Sequence, residues 1–318
     1  MTARLHRYEQ LGLRIGSEIE LRLPPATSDS IDVELRRSPV EVDTSVPPDG
    51  PLLASASVDG DWWYAVVETP AGATVRFNSC AEFTISPTLD SVELRVDPNG
   101  VRSHLVPVLF AGTVVAVLLT LRGVTLLHAS AVAVDEQALA FIGQSGRGKS
   151  TVAALMCNAG AALVTDDVLA VEARGTATCV GGASELRLRP NAAPIAVEHG
   201  SSRVGVTVDD RTAFSPGDSV GGELPLAAIV VPTPDREITD MEIVRLPEHA
   251  ALFALLAFPR VYGWRRDREL QRDFAVYRDL VAAVPMYAAS IPWGPPFDHR
   301  VVETLGRLVD EPIDLVAG

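Results

Sequence analysis

The sequence predicts an α/β fold with a β-rich N-terminal domain, and three observations support it. Short alternating apolar segments separated by Pro and Gly fill the first hundred residues, which is typical of β-sheet. The middle of the chain holds a glycine-rich loop between an apolar strand and a helix. Near the end, apolar residues recur at helical spacing over residues 266–284.

Four regions follow from these patterns. Residues 1–100 are predicted to form the β-rich domain with an antiparallel sheet, and residues 101–123 a buried connecting helix. Residues 124–235 are predicted to form the α/β core around the glycine-rich loop, and residues 236–318 the helical C-terminal part of the same domain. A length of 318 residues with 47% hydrophobic side chains is enough for two cores.

Individual elements can be assigned within these regions. The strands expected in the first region are Ile19–Leu23, Ile31–Leu35, Trp62–Glu68, Ala73–Phe77 and Val92–Val96. The elements expected in the core are the strands Val124–Leu127, Ala131–Val134, Leu139–Ile142 and Ala161–Val164, the helix Ser150–Asn158, and a hairpin of Val168–Glu172 with Thr176–Val180.

Charge and cysteine content narrow the class of protein. The 41 acidic side chains outnumber the 27 basic ones and give a net charge of −14, so we expect no nucleic-acid partner. The cysteines Cys80, Cys157 and Cys179 are odd in number and far apart, which argues against a disulfide framework. The N-terminus has no signal-peptide core, so a cytoplasmic location is predicted.

One stretch has the length of a membrane span. Residues 103–121 are mostly apolar and carry no formal charge at neutral pH. The stretch contains His104, Pro107 and Gly112, and the glycine-rich loop follows about twenty residues later. We therefore interpret it as a buried helix and expect no membrane partner.

The glycine-rich loop fits GxxxxGK[ST] over residues 143–150. Its glycines allow backbone N–H groups to surround phosphate oxygens, and the following helix N-terminus adds partial positive charge. Lys149, the single lysine of the chain, is expected to reach the β- and γ-phosphates, and the Ser150 hydroxyl to bind Mg²⁺. The predicted ATP-binding residues are Gly143, Ser145, Gly146, Arg147, Gly148, Lys149, Ser150 and Thr151.

Two further features lie beside this loop in the sequence. Asp166 and Asp167 follow the next predicted strand, where one carboxylate could accept a proton and the other could hold a metal ion. His128 follows an apolar strand, and its pattern alone is compatible with a structural or a functional role.

Taken together, the segments 127–132 (LHASAV), 143–150 (GQSGRGKS) and 163–168 (LVTDDV) resemble the HPr kinase/phosphorylase-like family. The resemblance covers residues 120–200 and implies a P-loop kinase core of the HPr-kinase type. It implies an ATP- and Mg²⁺-dependent kinase that phosphorylates a serine hydroxyl of a peptide or small protein. In size and signatures the chain is similar to lasso-peptide precursor kinases. The resemblance also implies a homo-oligomer.

The same resemblance implies roles for individual residues. Asp166 takes the place of the general base, and His128 that of the catalytic histidine; Lys149, from the loop motif, completes the predicted catalytic centre. Glu185 resembles the metal-associated glutamate of a Glu-Ile-Arg-Gly segment, and it joins Ser150 and Asp167, which the motif and the Asp-Asp pair indicate, as an expected Mg²⁺ ligand. Leu188 stands where that segment has glycine. This departure argues against the phosphorolysis reaction of the bifunctional enzymes of the family.

Two other functions fit the same residues. One is a kinase for a small molecule such as free serine or a sugar. The other is a nucleotide-sensing regulatory protein without turnover, although a protein that only binds nucleotide has no need of a base such as Asp166.

Overall fold

The computed structural model divides the chain into two compact units. The N-terminal unit is formed by Met1–Val124 with Val261–Arg272, and the C-terminal unit by Thr125–Arg260 with Asp273–Gly318. The structure describes residues 5–182, 185–189, 192, 195, 202–206 (backbone only), 211–294, 296–311 and 313.

The N-terminal unit is built around one eight-stranded sheet with the order β1-β2-β3-β8-β7-β6-β5-β4. Its strands are β1 (His6–Gln10), β2 (Leu13–Ser17), β3 (Val33–Arg37), β4 (Leu52–Val58), β5 (Asp61–Thr69), β6 (Gly72–Phe77), β7 (Ala81–Ile85) and β8 (Ser91–Val96). The predicted antiparallel pairing holds for five of the seven strand pairs, but β3 pairs in parallel with both β2 and β8. The strand predicted at Ile19–Leu23 is also wrong: this segment precedes Pro24 and forms no strand.

Residues 103–121 are helical, as predicted, but the helix is irregular. A 3₁₀ turn (Ser103–Leu105) leads into α1 (Val106–Leu109), a π-helical turn (Phe110–Val114) and α2 (Val115–Leu121). By length and composition this helix could cross a membrane, and 61% of its apolar window is buried inside the protein. Instead of connecting two domains it belongs to the N-terminal unit, where Phe110 packs against Phe83 with ring centroids 6.1 Å apart.

The C-terminal unit contains a nine-stranded sheet and a small three-stranded one. The large sheet follows the order β12-β10-β11-β18-β14-β13-β9, and β20 extends it by pairing with β18 and β19. Its strands are β9 (Thr125–Leu127), β10 (Ala129–Val134), β11 (Gln137–Ile142), β12 (Ala162–Thr165), β13 (Leu169–Glu172), β14 (Thr178–Gly181), β18 (Gly222–Asp235), β19 (Glu242–Arg245) and β20 (Met286–Pro292). The small sheet has the order β15-β17-β16 and consists of β15 (Leu186–Leu188), β16 (Ser202–Val206) and β17 (Thr212–Ser215).

Helices cover both faces of the large sheet. The helices of this unit are α3 (Lys149–Asn158), α4 (Glu248–Ala257), α5 (Asp267–Ala283, of which the part after Arg272 belongs here) and α6 (His299–Arg307). Alternation along β11 directs Leu139 and Phe141 toward α3 and α6, and Ala140 and Ile142 toward α4 and α5. The region 236–318 is helical only in part, because β19 and β20 lie within it. The structure is therefore a mixed α/β fold.

The topology explains where the chemistry can be. Strands β11, β18 and β20 are parallel, with Phe141 opposite Val230 and Val230 opposite Tyr287. Their carboxyl ends therefore lie at the same edge of the sheet, which is where open α/β sheets bind ligands. The glycine-rich loop begins at this edge directly after β11.

Candidate active site

The glycine-rich loop joins β11 to α3 as the sequence predicts. Gly146 and Gly148 have φ angles of 86° and 85°, which only glycine adopts without strain. Gly148 is the N-cap of α3, and a Cβ atom added there would lie 2.5 Å from the ring of Trp293. The position therefore requires glycine both for its backbone conformation and for lack of space.

Lys149 is held against the loop. Its side chain is buried, and Nζ donates hydrogen bonds to the carbonyl oxygens of Gly143 at 2.7 Å and Gln144 at 3.1 Å. Burial lowers the pKa of the ammonium group to about 8, although the nearby carboxylates of Asp166 and Asp167 oppose this shift. At neutral pH the loop therefore carries a positive charge at its centre, with carbonyl contacts that phosphate oxygens could replace.

Asp166 directly follows β12 and connects it to three other elements of the C-terminal unit. Its Oδ1 accepts hydrogen bonds from the hydroxyl of Ser150 on α3 at 2.7 Å and of Ser130 on β10 at 2.6 Å. Its Oδ2 accepts from the backbone N–H of Arg187 on β15 at 3.0 Å. All three donors are neutral, and one is the hydroxyl that the loop motif assigns to the metal ion.

Asp167 has different surroundings, although it is the next residue. Its Oδ2 lies 2.8 Å from Arg260 Nη2 and 3.3 Å from Arg187 Nη2, and its Oδ1 lies 3.1 Å from His128 Nδ1. Burial disfavours the charged form, but Arg260, the hydrogen bond from His128, and Arg187 together hold the pKa of Asp167 well below its ordinary range. Its φ of 83° is unusual for a residue with a side chain, so these contacts hold a strained conformation.

Hydrogen bonds fix both the backbone and the ring of His128. Its N–H donates to the carbonyl of Phe258 at 3.0 Å, and its Nδ1 lies 3.1 Å from both the carbonyl oxygen and the Oδ1 of Asp167. Both of these neighbours are acceptors, so Nδ1 carries the ring proton. In the neutral ring Nε2 is then unprotonated and able to accept a proton.

These groups line one pocket with a volume of about 150 Å³. Of the predicted site residues, the structure brings together His128, Ser145, Gly146, Gly148, Lys149, Ser150, Thr151, Asp166 and Asp167. Gly143, Arg147 and Glu185 are not among the described residues that line it. Within the described part of the chain, no group of three or more His, Cys, Asp or Glu side chains could hold a metal ion by itself.

Sequence reasoning missed several residues of this pocket. They are Arg187, Leu188, Arg189, Ala192, Arg211, Arg236, Trp293, Gly294 and Phe297. The resemblance includes Arg187 and Leu188 in its Glu-Leu-Arg segment, but it does not indicate that they reach the pocket. Arg260 contacts Asp167, whereas the nearby arginines at 265–272 belong to the N-terminal unit.

Comparison with known proteins leaves the family open. No family model and no curated protein sequence matches the chain. Among solved structures, the HPr(Ser) kinase/phosphatase from Coxiella burnetii is similar over 58% of this chain and 93% of its own, with a TM-score of 0.31 and 10% sequence identity. At this level the similarity carries no conclusion about activity, so the function must be inferred from the geometry of the site.

Proposed function

We propose that this protein is an ATP- and Mg²⁺-dependent kinase that transfers the γ-phosphoryl group to a serine hydroxyl of a peptide or small protein. The observation that carries the proposal is the 2.7 Å hydrogen bond between Ser150 of the glycine-rich loop and Asp166, in the pocket that also contains Lys149, Asp167 and His128. A phosphate-binding loop, oxygen ligands for a metal ion and a proton acceptor are the groups that phosphoryl transfer uses.

The loop supplies the binding groups for the triphosphate. The left-handed glycines expose backbone N–H groups at the start of α3, where the helix N-terminus favours anions. Lys149 would move from the carbonyls of Gly143 and Gln144 to phosphate oxygens. Such a displacement offsets much of the cost of the buried ammonium group, because an anion replaces neutral acceptors.

Ser150 and Asp166 fit Mg²⁺ because both are hard oxygen donors, and Mg²⁺ in such sites takes few protein ligands. The ion, when bound, neutralises phosphate charge. The sequence pattern instead indicates Asp167 as a metal ligand, and the resemblance indicates Glu185. The geometry favours Asp166, since the carboxylate of Asp167 already pairs with Arg260 and Arg187.

The proton acceptor that the geometry favours is His128. Asp167 orients the ring and holds the Nδ1 proton, and it would stabilise the imidazolium that forms. The resemblance assigns this role to Asp166, which remains the alternative base. In either case the serine oxygen forms a bond to the γ-phosphorus while the bond to the bridging oxygen breaks. Its electron pair leaves with ADP, and the serine proton goes to the base.

The deciding experiment is phosphoryl transfer from γ-labelled ATP with Mg²⁺ to serine-containing precursor peptides encoded near the gene. We expect label on a peptide serine with the wild type and none with Lys149→Ala. Asp166→Asn is expected to raise the Mg²⁺ concentration needed for half-maximal rate, and Glu185→Gln is its matched control. Tight ATP binding without transfer to any peptide would contradict the proposal and favour a small-molecule kinase or a nucleotide sensor.

The remaining expectations stay predictions. They are the cytoplasmic location, the homo-oligomer, and the lack of nucleic-acid and membrane partners. Size-exclusion chromatography with light scattering tests the predicted homo-oligomer directly.

A further inference from the structure

We infer that Trp293 and Phe297 form the subsite for the nucleobase of the bound triphosphate. This inference rests on the proposed function, because it concerns the same ligand. It adds a recognition element that lies outside the glycine-rich loop, at the ends of two other strands.

The order of strands separates the two ends of the site. From the glycine-rich loop after β11, one direction along the sheet leads through β10 to β12, which ends at Thr165, directly before Asp166. The other direction leads through β18 to β20, and these two strands end opposite each other at Asp235 and Pro292. The groups proposed for metal binding and proton transfer therefore lie on the β12 side. The part of the ligand that does not react would therefore lie on the β20 side of the glycine-rich loop.

Trp293 is the residue that directly follows β20. Its backbone N–H donates to the carbonyl of Asp235 at 2.6 Å, which fixes it to the end of β18. Its ring lies against Gly148, since a Cβ atom at that glycine would be 2.5 Å from the ring. A large aromatic surface is thus held directly beside the loop that would bind the phosphates.

Phe297 orients this surface. The rings of Trp293 and Phe297 meet edge to face, with centroids 5.2 Å apart and an interplanar angle of 89°. Both side chains are half-buried: they pack on a core that includes Ile291 and Val301, and both line the pocket. An aromatic pair that the core holds from behind and that lines a phosphate pocket suits a planar heterocycle, which stacks on aromatic rings.

The basic side chains near these rings also favour a nucleotide. Arg236 follows Asp235, and Arg189 lies against Gly146, where an added Cβ atom would be 3.2 Å from its guanidinium. An apolar peptide segment would bring no charge to meet these arginines. A nucleoside triphosphate carries both the planar base and the anionic groups.

The test compares two ligands that share the phosphates and differ in the base. Dissociation constants for ATP and for inorganic tripolyphosphate are measured with Mg²⁺ by calorimetry on the wild type, Trp293→Ala and Trp293→Phe. We expect Trp293→Ala to weaken ATP binding about 10- to 100-fold and to leave tripolyphosphate binding within about twofold. Trp293→Phe should retain most of the ATP affinity. Trp62→Ala, in the N-terminal unit, is the matched control and should bind both ligands normally.

The outcomes separate the two proposals. Wild-type protein that binds neither ligand would overturn the proposed function. Wild-type protein that binds both, with no change or with an equal loss for both ligands in Trp293→Ala, would overturn the base subsite, because the tryptophan would then act on the loop through Gly148. If Trp293→Ala does not fold, the test is the quenching of tryptophan fluorescence by adenosine. Adenosine should quench the fluorescence of the wild type more than that of Trp293→Phe, and equal quenching would contradict the inference.

Discussion

Each unit of this protein shields a carboxylate from solvent, Asp97 being buried and Asp167 half-buried, but the two units use these groups differently. In the N-terminal unit, Asp97 Oδ2 accepts from the backbone N–H of Thr44 at 2.9 Å and from its hydroxyl at 2.6 Å, and Oδ1 accepts from the N–H of Asn99 at 2.8 Å. In the C-terminal unit, Asp167 pairs with Arg260, Arg187 and His128. Burial opposes ionisation of Asp97 and Asp167, and in each case hydrogen bonds or cations hold the pKa below its ordinary value.

A lowered pKa therefore does not by itself identify a functional acid. Asp97 fixes a loop onto the sheet of its unit, with donors that are mostly backbone and hydroxyl groups. Asp166 and Asp167 instead line a pocket beside the glycine-rich loop, and their five partner residues come from four different parts of the chain. What distinguishes the two kinds of site is the position of the acid relative to an open anion-binding loop.

The largest effect should come from the proposed base. His128→Gln removes the proton acceptor, and we expect kcat to fall about 10²- to 10⁴-fold while the Mg²⁺ requirement stays unchanged. Asp97→Asn is the comparison in the N-terminal unit and should keep normal kcat. A His128→Gln variant with the wild-type kcat would return the base role to Asp166.

Lys149→Ala should be nearly as damaging. Loss of the cation at the phosphates is expected to lower kcat about 10²- to 10³-fold and to weaken ATP binding. Labelled-ATP transfer and calorimetry measure the two effects separately. Removing Arg76, which pairs with the buried Glu82 in the N-terminal unit, should affect thermal stability and not transfer.

Arg260→Met addresses the partners of Asp167. The substitution leaves the half-buried carboxylate of Asp167 without its closest cation, and we expect the free energy of unfolding to fall by about 1–3 kcal/mol. It should also raise the pKa of Asp167 and lower kcat, because His128 loses its fixed partner. Arg95→Met is the matched change, since Arg95 lies 3.7 Å from Glu82 and Arg76 remains there. Equal stability losses with no change in kcat would remove the distinction between the two units.

The smallest effect is the pH dependence of ATP binding. Lys149 has a pKa of about 8 in the folded protein, so ATP affinity should be constant below pH 8 and fall by at most about tenfold per pH unit above it. The free energy of unfolding should change in the opposite direction and increase as the pH rises above about 8. The folded state favours the neutral amine, so the destabilisation is complete below about pH 8 and is relieved as the pH rises toward the ordinary value. Calorimetry at a series of pH values measures the pH dependence of ATP affinity. Lys149→Arg, which cannot deprotonate, should remove that dependence.

Local patterns were good guides to local structure. The strands β5, β6, β8 and β11, the helix α3 and the β13–β14 hairpin all occur close to their predicted positions. The segment Ile19–Leu23 alternates in the same way but forms no strand, because alternation does not guarantee a partner strand. The parallel pairing of β3 with β2 and β8 depends on long-range contacts, which the alternation of side chains does not specify.

The sequence by itself determined the glycine-rich loop and the residues that should bind phosphate. This is so because the loop, its strand and its helix are contiguous, and their conformation depends on glycines at fixed spacing. Only the tertiary structure decided the rest of the pocket. Trp293 lines it from a position more than a hundred residues beyond the loop, and Arg260 contacts Asp167, which lines it, from another distant element. It also gave Asp166 and Asp167 opposite surroundings, because a left-handed backbone conformation at Asp167 turns two adjacent side chains toward different partners.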